Sequence, residues 1–548
     1  MNCSAQSVPL RVCLIVGGAT SHEELSSLLS AFQDDEEFSI VSILRHTLKQ
    51  QRASAKGSAP RTSSRQQLTT VRQITFNALR ILESLFLRGS KNPTRWQQTR
   101  GRAGPQTDIC AEWDAEARTL IYQESEILKL HRLETDLAVC ASDLRLGASL
   151  IDQFPVGVFQ AQHGNLSCPR IGPPGFDEVV LGEDETKVRI ARLQSGRLRG
   201  SACEEGIFPT APTFSQNYLI ALDYSAGLLR RVLSNLGTKK YAASGLPESA
   251  PTNYVGVVVT LLQQTRYVMV LGLRFFRHII HRRGKWGVSY QFLSNWRTMD
   301  LSRSVIIKNP PGRYLADPFL FFHKGRHYCF VEDFDIRTHR GRISVLEISP
   351  NACTGPSVAI QEEFHMSYPF IFKDGNSIYM CPETHQAREI RLYKCLVFPH
   401  SWALAEVLIR GVSAVDTNIF FSSGRWWIMT NLAITPKSSH ASELHLYSSK
   451  KLEGGTWEPH PLNPVKSGPR CARNGGLFAE NDYIFRVFQV QRFGIYGHHF
   501  GVARVETINT SEYSESLELE VDPDFFRKNR GSHSFSYTRG LLAVDFFQ

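Results

Sequence analysis

A β-hairpin pattern recurs five times in the C-terminal half of this 548-residue chain. In the first copy, two extended apolar runs between Asp317 and Val331 flank a Lys324-Gly325 turn, where glycine supplies the positive φ of a tight turn. Later copies begin near residues 369, 416, 474 and 533, a period of about 47 to 59 residues. Sheets repeated at that period pack radially around one axis, so the pattern predicts a five-bladed β-propeller.

The innermost strand of each blade faces the central channel, so the first residues of these five strands should meet there. They are Asp317, Tyr368, Asp416, Asn474 and His533. Glu332 and Glu383 each end the second strand of a hairpin and are expected to point inward as well. The pattern therefore predicts an acidic ligand site. For each carboxylate alone, the alternative is a structural hydrogen bond or an ion pair with Arg313 or Arg473.

Residues 286–548 resemble the N-terminal domain of the glucosamine inositolphosphorylceramide transferases. The resemblance rests on Gly312–Phe319, Glu332-Asp333, Gly341–Val345, Ser367–Phe370, Pro382-Glu383, Arg486–Gln489, Tyr496-Gly497 and Gly531–Phe535. That domain is in turn similar to the five-bladed propellers of arabinanase-type glycoside hydrolases. The resemblance implies a carbohydrate ligand. It does not imply sphingolipid glycosylation, because the transferase chemistry of that family belongs to another domain that is not recognisable in this sequence.

Arabinanase-type propellers hold an Asp base, an Asp that tunes pKa values and a Glu acid. By resemblance, Asp317 in its Ala-Asp-Pro-Phe setting is the base and Asp416 is the second Asp. The fourth blade begins with Asn474 and two glycines and offers no acid, which leaves Glu332 and Glu383 as candidates. Inversion requires an ionised base and a protonated acid about 6.5–9.5 Å apart. The residues expected to contact the sugar are Tyr368, Asn474, His533 and Arg313.

Two further pairs in the propeller have competing interpretations. Trp426 and Trp427 could stack on a sugar ring, but packing inside a blade is the favoured interpretation. His498 and His499 are adjacent, so on a regular strand they should point to opposite faces and not bind one metal together. The sequence therefore predicts no metal site.

The N-terminal part, residues 1–238, predicts a doubly wound α/β domain. A strand over residues 10–17, a helix from His22 to Phe32 and a strand from Phe38 to Leu44 form a β-α-β opening without a G-x-G-x-x-G loop. Residues 51–66 are rich in Ser, Arg and Gln and are expected to form a mobile basic insert. An amphipathic helix is predicted from Ile74 to Leu87.

Later motifs of this domain resemble the formyltransferases that use formyl-tetrahydrofolate, a Rossmann-type α/β fold. They are Thr135–Ala141, Gly157–Gly164, Ile171–Phe176, Lys187–Leu193 and Gly206–Thr210. The family uses Asn-x-His and a later Asp. Here His163 matches the His, Ala161 replaces the Asn, and residues 186–203 contain no carboxylate. The resemblance implies a domain whose catalytic residues are partly lost, with Asn165 as a substitute donor if formyl transfer survives.

Residues 239–285 are predicted to be a linker followed by a connecting helix. Gln263, Gln264 and Arg266 interrupt the apolar run from Tyr254 to Ile280 and make a membrane-spanning helix a poor fit. The basic end of this run, up to Lys285, is a candidate for peripheral contact with an anionic membrane; a solvated helix end is the alternative.

The remaining composition bounds the setting and the partners. Eleven cysteines without a C-x-x-C pair, and no signal-peptide pattern, favour the cytoplasm, where the protein could also be membrane-peripheral. The net charge of +10 accompanies no nucleic-acid-binding motif, so no nucleic-acid partner is predicted.

Three functions follow from these patterns. The first is a carbohydrate-active or glycan-binding protein of surface-glycan or glycolipid metabolism, with its site in the channel. The second is N-formylation of an amino-sugar nucleotide at His163, with formyl-tetrahydrofolate as cofactor. The third is a non-catalytic scaffold.

Overall fold

The computed structural model describes most of the chain. The described residues are 9–17, 22–32, 36–48, 75–83, 105–114, 119–141, 145–164, 172–195, 200–236, 261–272, 284–435, 438–492 and 495–548. Two compact units are present: Met1–Gly206 with Thr210–Arg277, and Ile207–Pro209 with His278–Gln548. The predicted insert at 51–66, the linker at 240–252, the basic residues 274–283 and Asn165 lie outside the described residues.

The first unit is built on an eight-stranded sheet. Its strands are β1 Leu10–Val16, β2 Phe38–Leu48, β3 Gln106–Asp114, β4 Thr119–Tyr122, β5 Leu137–Cys140, β6 Gly157–His163, β7 Glu185–Leu193 and β8 Ser201–Pro209. They are ordered β4-β3-β2-β1-β5-β6-β7-β8. Strands β3, β2, β1, β5 and β6 are parallel neighbours, whereas β4 and β7 pair antiparallel to theirs. The predicted parallel sheet is therefore confirmed.

Seven helical segments accompany this sheet among the described residues. They are α1 His22–Ala31, α2 at residues 75–83, α3 Glu124–Ile127, α4 Ala148–Ile151, α5 Phe176–Leu181, α6 Phe214–Ser234 and α7 at residues 261–272. None of the described helices combines the length and the apolar character needed to cross a membrane. The carboxylate of Glu83, at the end of α2, accepts hydrogen bonds from the backbone N–H groups of Phe214 and Ser215. These two hydrogen bonds satisfy backbone N–H groups that would otherwise lack partners at the N-terminus of the longest described helix.

The second unit consists of five antiparallel sheets. Blade 1 contains β11 Arg313–His323, β12 Arg326–Asp335, β13 Arg340–Ser349, β14 Ala352–Cys353 and β15 Ser357–Ile360. Blade 2 contains β16 Ser367–Asp374, β17 Ser377–Glu383, β18 Glu389–Val397 and β19 Ser401–Arg410. Blade 3 contains β20 Ala414–Ser422, β21 Arg425–Leu432, β22 Glu443–Ser449, β23 Glu458–Pro459 and β24 Lys466–Ser467. Blade 4 contains β25 Asn474–Glu480, β26 Tyr483–Arg492, β27 Ile495–Ile508 and β28 Tyr513–Val521.

Blade 5 joins the two ends of this unit and closes the ring. It combines β29 Phe535–Thr538 and β30 Leu541–Phe547 with β9 Trp286–Phe292 and β10 Val305–Ile307. Strand β9 pairs with β30 along its whole length, from Trp286 opposite Phe547 to Phe292 opposite Leu541. Five sheets closed in this way confirm the predicted five-bladed propeller. Short 3₁₀ turns occur at Leu130–Arg132, Trp296–Thr298, Leu301–Arg303, His385–Ala387 and Pro523–Phe525.

A β-bulge breaks the inner hairpin of the first three blades at the same place. The register shifts just after the pairs Ala316–Glu332, Ser367–Glu383 and Val415–Asn431. The residue that follows each first member has a positive φ: 48° at Asp317, 47° at Tyr368 and 50° at Asp416. Non-glycine residues seldom adopt this conformation, and a bulge re-aims the side chain it carries. The three side chains are thereby turned away from the regular alternation of their strands.

Apolar residues fill the space between the blades. Trp426 and Trp427 are 9% and 0% exposed and belong to two of the apolar clusters of the propeller, which confirms packing inside the blades as their role. Arg486 is also fully buried, and its guanidinium group forms two hydrogen bonds to the carboxylate of Glu515, at 2.8 and 2.6 Å. Burial alone would raise the pKa of Glu515, but the charge and hydrogen bonds of Arg486 outweigh it and bring that pKa to about 2.

We expect Glu515→Gln to lower the free energy of unfolding by about 3–5 kcal/mol at neutral pH, because it leaves the buried Arg486 charge without its anion. The depressed pKa also means that this stabilisation is present above about pH 4.5 and is lost as the pH falls towards 2. Denaturant unfolding followed by tryptophan fluorescence measures both effects. The matched control is Glu458→Gln, which breaks the exposed pair with Arg425 and should cost no more than about 1 kcal/mol.

Candidate active site in the propeller channel

The five predicted channel residues are all buried and are linked from blade to blade. The carboxylate of Asp317 accepts a hydrogen bond from the backbone N–H of Tyr368 at 3.2 Å. The side-chain amide of Asn474 donates to the backbone carbonyl of Asp416 at 2.8 Å. A Cβ atom added to Gly475 would lie 2.3 Å from the carbonyl oxygen of His533, so only glycine fits where blades 4 and 5 meet. The structure therefore brings together the residues that the repeat spacing selected.

Asp317 lies opposite a histidine that is itself held by a second carboxylate. Nε2 of His533 is 3.4 Å from Oδ1 of Asp317, and Nδ1 is 2.5 Å from Oδ2 of Asp545. The other oxygen of Asp545 accepts hydrogen bonds from the backbone N–H groups of His533 and Ser534. Burial alone would lower the pKa of His533, but the adjacent carboxylates outweigh it and raise that pKa. The two carboxylates therefore favour the protonated, cationic form of the imidazole that lies between them.

This environment leaves Asp317 able to work as a base near neutral pH. Burial raises the pKa of Asp317, the charge of His533 opposes that effect, and the resulting value is about 6. The hydroxyl group of Ser534 also donates to the Asp317 carboxylate at 2.9 Å and stabilises its ionised form. Above pH 6 the carboxylate is mostly ionised, as a group that accepts a proton from water must be.

The surroundings of Glu332 and Glu383 favour the protonated form of each carboxyl group. Burial, followed by the negative charge of Asp416, raises the pKa of Glu383 to about 8, although the charge of Arg473 and the backbone N–H of Asp416 favour ionisation. Burial and the charge of Asp317 likewise raise the pKa of Glu332 well above its usual value. Glu383 therefore carries a proton at neutral pH, and the protonated form of Glu332 is favoured in the same way. The cluster thus combines an ionised carboxylate, Asp317, with a protonated carboxylic acid, Glu383, which is the pairing that acid–base catalysis uses.

Arg473 is a second positively charged residue of the cluster and pairs with Asp416. Its Nε atom donates to Oδ2 of Asp416 at 2.6 Å, and the amide group of Gln489 donates to the same oxygen at 3.2 Å. The guanidinium carbon lies 4.7 Å from the ring centre of Tyr496, whose edge meets the imidazole of His533. Tyr496 is 43% exposed, so it is an aromatic surface at the rim of a buried polar cluster. Such a surface can stack on the apolar face of a sugar ring.

Sequence reasoning missed Asn431, Gln489, Asp545 and Tyr496. Like Glu332 and Glu383, three of them lie towards the end of the second strand of an inner hairpin: Asn431, Gln489 and Asp545. A spacing signal was available: 332, 383, 431 and 489 each lie fifteen residues after the channel residue of the same blade, at 317, 368, 416 and 474. The hairpin of blade 5 is shorter, so the fifteen-residue spacing does not identify Asp545. Tyr496 lies outside the repeated hairpins, so no spacing could have identified it.

Two sequence-based expectations remain to be compared with the structure: a sugar contact for Arg313, and opposite directions for His498 and His499. Arg313 forms an ion pair with Asp333, which also accepts a hydrogen bond from Ser344, and no described contact joins Arg313 to the channel carboxylates. The expectation that His498 and His499 point apart is wrong, because their Nδ1 atoms are 2.8 Å apart. The regular alternation fails here because the register shifts between Val490 and Arg492, and Gly497 has a positive φ of 59°.

Among the residues that the structure describes, one group of side chains could hold a metal ion. The ligand atoms of Asp317, His533 and Asp545 lie within 4.8 Å of one another. In the structure, Nδ1 of His533 is 2.5 Å from Oδ2 of Asp545, so the two groups already form a close ion pair. The absence of a metal remains a prediction.

The predicted formyl-transfer residue of the first unit has a different environment. Nε2 of His163 lies 2.8 Å from the hydroxyl oxygen of Ser225 on α6, and both residues are buried. The Ser225 hydroxyl donates to the carbonyl oxygen of Ala221, so it is available to accept from the imidazole. The contact with Ser225 thus directs Nε2 of His163 into the interior of the unit, and Asn165 lies outside the described residues.

These observations define the second unit as a five-bladed β-propeller with a buried acid–base cluster in its channel. Residues 300–542, less than half of the chain, match the family model described as glucosamine inositolphosphorylceramide transferase 1, N-terminal. The Arabidopsis thaliana protein of that name is 33% identical over 228 residues, which are 40% of this chain and 29% of that protein. The match confirms the resemblance of the propeller to this domain. The chain spans less than a third of the length of the curated relatives it matches.

Two solved structures match parts of this chain at low TM-scores. The α-L-arabinofuranosidase PaAbf62A from Podospora anserina, in complex with cellotriose, is 13% identical with a TM-score of 0.32, covering 42% of this chain and 78% of that one. Glycinamide ribonucleotide transformylase 1 from Symbiobacterium toebii is 11% identical with a TM-score of 0.25, covering 42% and 90%. At such TM-scores neither likeness bears on activity, and the formyltransferase-like fold of the first unit stays a prediction.

The raised pKa of Glu383 has a measurable effect on stability. A folded protein that holds this proton up to about pH 8 loses stability as the pH rises from about 4.5 towards 8. Glu383→Gln stays neutral, so we expect its melting temperature relative to the wild type to be higher at about pH 9 than at about pH 5. Calorimetry measures this difference. The control Glu363→Gln, at an exposed position, should show the same offset at both pH values; an equal offset for Glu383→Gln would contradict a raised pKa.

Proposed function

We propose that the propeller binds a carbohydrate in its channel and cleaves or transfers a glycosidic bond by acid–base catalysis. The observation that carries this proposal is the coexistence, in one buried cluster, of Asp317 with a pKa of about 6 and Glu383 with a pKa of about 8. Between these values the first is ionised and the second is protonated. The family match and the names of the matched relatives support a glycan or glycolipid as ligand.

In the proposed reaction, Asp317 accepts a proton from a water molecule as the water oxygen bonds to the anomeric carbon. Glu383 donates its proton to the oxygen of the leaving group as the bond between that oxygen and the anomeric carbon breaks. Asp416 assists the acid, because its charge helps to keep the proton on Glu383 while its backbone N–H orients the carboxyl group. Attack by water from the opposite side inverts the anomeric configuration.

Glu383 is the preferred acid over Glu332 because it contacts Asp416 and is near Arg473, which is aligned by Asp416. Each glutamate also has a histidine neighbour: Oε1 of Glu332 lies 3.6 Å from Nε2 of His365, and Oε1 of Glu383 lies 3.8 Å from Nε2 of His385. Nδ1 of His365 accepts a hydrogen bond from the backbone N–H of Gly341, so the neutral imidazole carries its proton on Nε2 and directs it towards Glu332. Glu332 is therefore expected to bind a sugar hydroxyl group.

Asp317→Asn and Glu383→Gln should each reduce turnover on the order of 10²–10⁴-fold. The assay measures p-nitrophenol release from a panel of nitrophenyl glycosides, and sugar release from the matching methyl glycosides. A general acid is needed most for a poor leaving group, so Glu383→Gln should impair methyl glycosides far more than nitrophenyl glycosides. Glu332→Gln should raise KM without this dependence on the leaving group, and Glu363→Gln is the surface control.

The wild-type pH profile should be bell-shaped, with limbs near pH 6 for Asp317 and near pH 8 for Glu383. In Glu383→Gln the alkaline limb should disappear. Calorimetric binding of a glycan without turnover in the wild type would replace catalysis by a scaffold role. Absence of both binding and turnover would contradict the proposal.

A further inference from the structure

A second surface of the propeller lies at the opposite end of the inner strands from the acid–base cluster. Strand β11 runs from Asp317, in the cluster, to the turn at Lys324, a distance of roughly 20 Å at the rise of an extended strand. We call this surface the turn face. It comprises Phe322, His323, Lys324, Lys373, Leu396, Val397 and Arg539.

The turn face is one continuous surface, because its members contact one another across three blades. The guanidinium group of Arg539, in blade 5, lies 5.8 Å from the ring centre of Phe322 in blade 1. The ring of His323 lies 4.5 Å from that of Phe398, which directly follows Val397 in blade 2. Burial, and then the positive charges of Lys324 and Lys373, lower the pKa of His323, which places both lysines near its ring.

The apolar members of this face are exposed to an unusual degree. Leu396 and Val397 are 65% and 68% exposed and lie beside the turn that joins β18 to β19. Phe322, beside the Lys324-Gly325 turn, is 37% exposed. Large apolar side chains at consecutive, protruding positions cost free energy in water and mark a surface that another apolar phase covers.

The charges around these apolar side chains have one predominant sign. Among the residues that the structure describes, Lys324, Lys373 and Arg539 form no ion pair, whereas Arg326 of the same turn is paired with Glu347. Of the residues in the tight turns at Lys324-Gly325, Asp374–Asn376 and Arg539-Gly540, one, Asp374, is acidic. Unpaired cations around protruding apolar side chains complement a surface that is apolar within and anionic outside.

We propose that the turn face docks on an anionic lipid membrane, with Leu396, Val397 and Phe322 entering the headgroup region and Lys324, Lys373 and Arg539 contacting lipid phosphate and carboxylate groups. Protruding turns fit this partner better than a protein groove, because no concave surface is needed to receive them. Docking by this face leaves the acid–base end of the channel directed away from the bilayer, so its ligand would approach from the aqueous side.

Co-sedimentation of the full-length chain with vesicles tests this proposal. Binding should require phosphatidylserine in addition to phosphatidylcholine and should weaken at high salt. We expect Lys324→Glu/Lys373→Glu and Leu396→Ser/Val397→Ser each to lower the partition coefficient on the order of tenfold. Lys324→Arg/Lys373→Arg should bind like the wild type, and so should Leu517→Ser, which removes an equally exposed leucine from blade 4. Unchanged melting temperatures verify that the variants fold.

Three outcomes would overturn the proposal. Equal binding of the wild type and both turn-face variants would assign membrane contact to other basic parts of the chain, such as residues 51–66 or 274–283. An effect of the charge reversal without any effect of the apolar pair would exclude insertion. Self-association without vesicle binding, abolished by Leu396→Ser/Val397→Ser in sedimentation velocity, would assign the face to a second copy of the chain.

Discussion

The carboxylate of Asp317 is the point on which the propeller channel depends. It belongs to blade 1, accepts a hydrogen bond from the backbone of blade 2 at Tyr368, and accepts another from Ser534 of blade 5. An unpaired carboxylate at this depth would be costly, and His533 supplies the compensating charge because Asp545 holds it in place. One buried anion thereby fixes the relative positions of three blades and remains ionised.

Protonation states in the channel follow from the same arrangement. The charge of His533 opposes the effect of burial on the pKa of Asp317, whereas Arg473, which is paired with Asp416, offsets only part of the effect of burial on the pKa of Glu383. Glu383, with a pKa of about 8, therefore keeps its proton at neutral pH, and the pKa of Glu332 is raised as well. The separation of acid and base roles thus depends on which carboxylate the two cations reach, and not on the chemical difference between Asp and Glu.

The two ends of the inner strands have different chemistry. The end that begins each strand is polar and buried, since the bulges at Asp317, Tyr368 and Asp416 turn these side chains inward. The end that finishes each strand displays turn residues to solvent, and in blades 5, 1 and 2 these combine basic and apolar groups. A ligand site and a docking surface can therefore coexist on one propeller without competing for the same residues.

The sequence by itself determined the blades, the five-fold spacing and the channel residues from Asp317 to His533, because hairpin periodicity and turn glycines are local properties. It also indicated the parallel sheet of the first unit through short, continuous apolar strands. Only the tertiary structure decided that Arg473 pairs with Asp416 while Arg313 pairs with Asp333, that His498 and His499 meet, and that Tyr496 lies at the rim. These outcomes depend on bulges and on contacts between blades, which arise from packing of segments distant in sequence and have no local pattern.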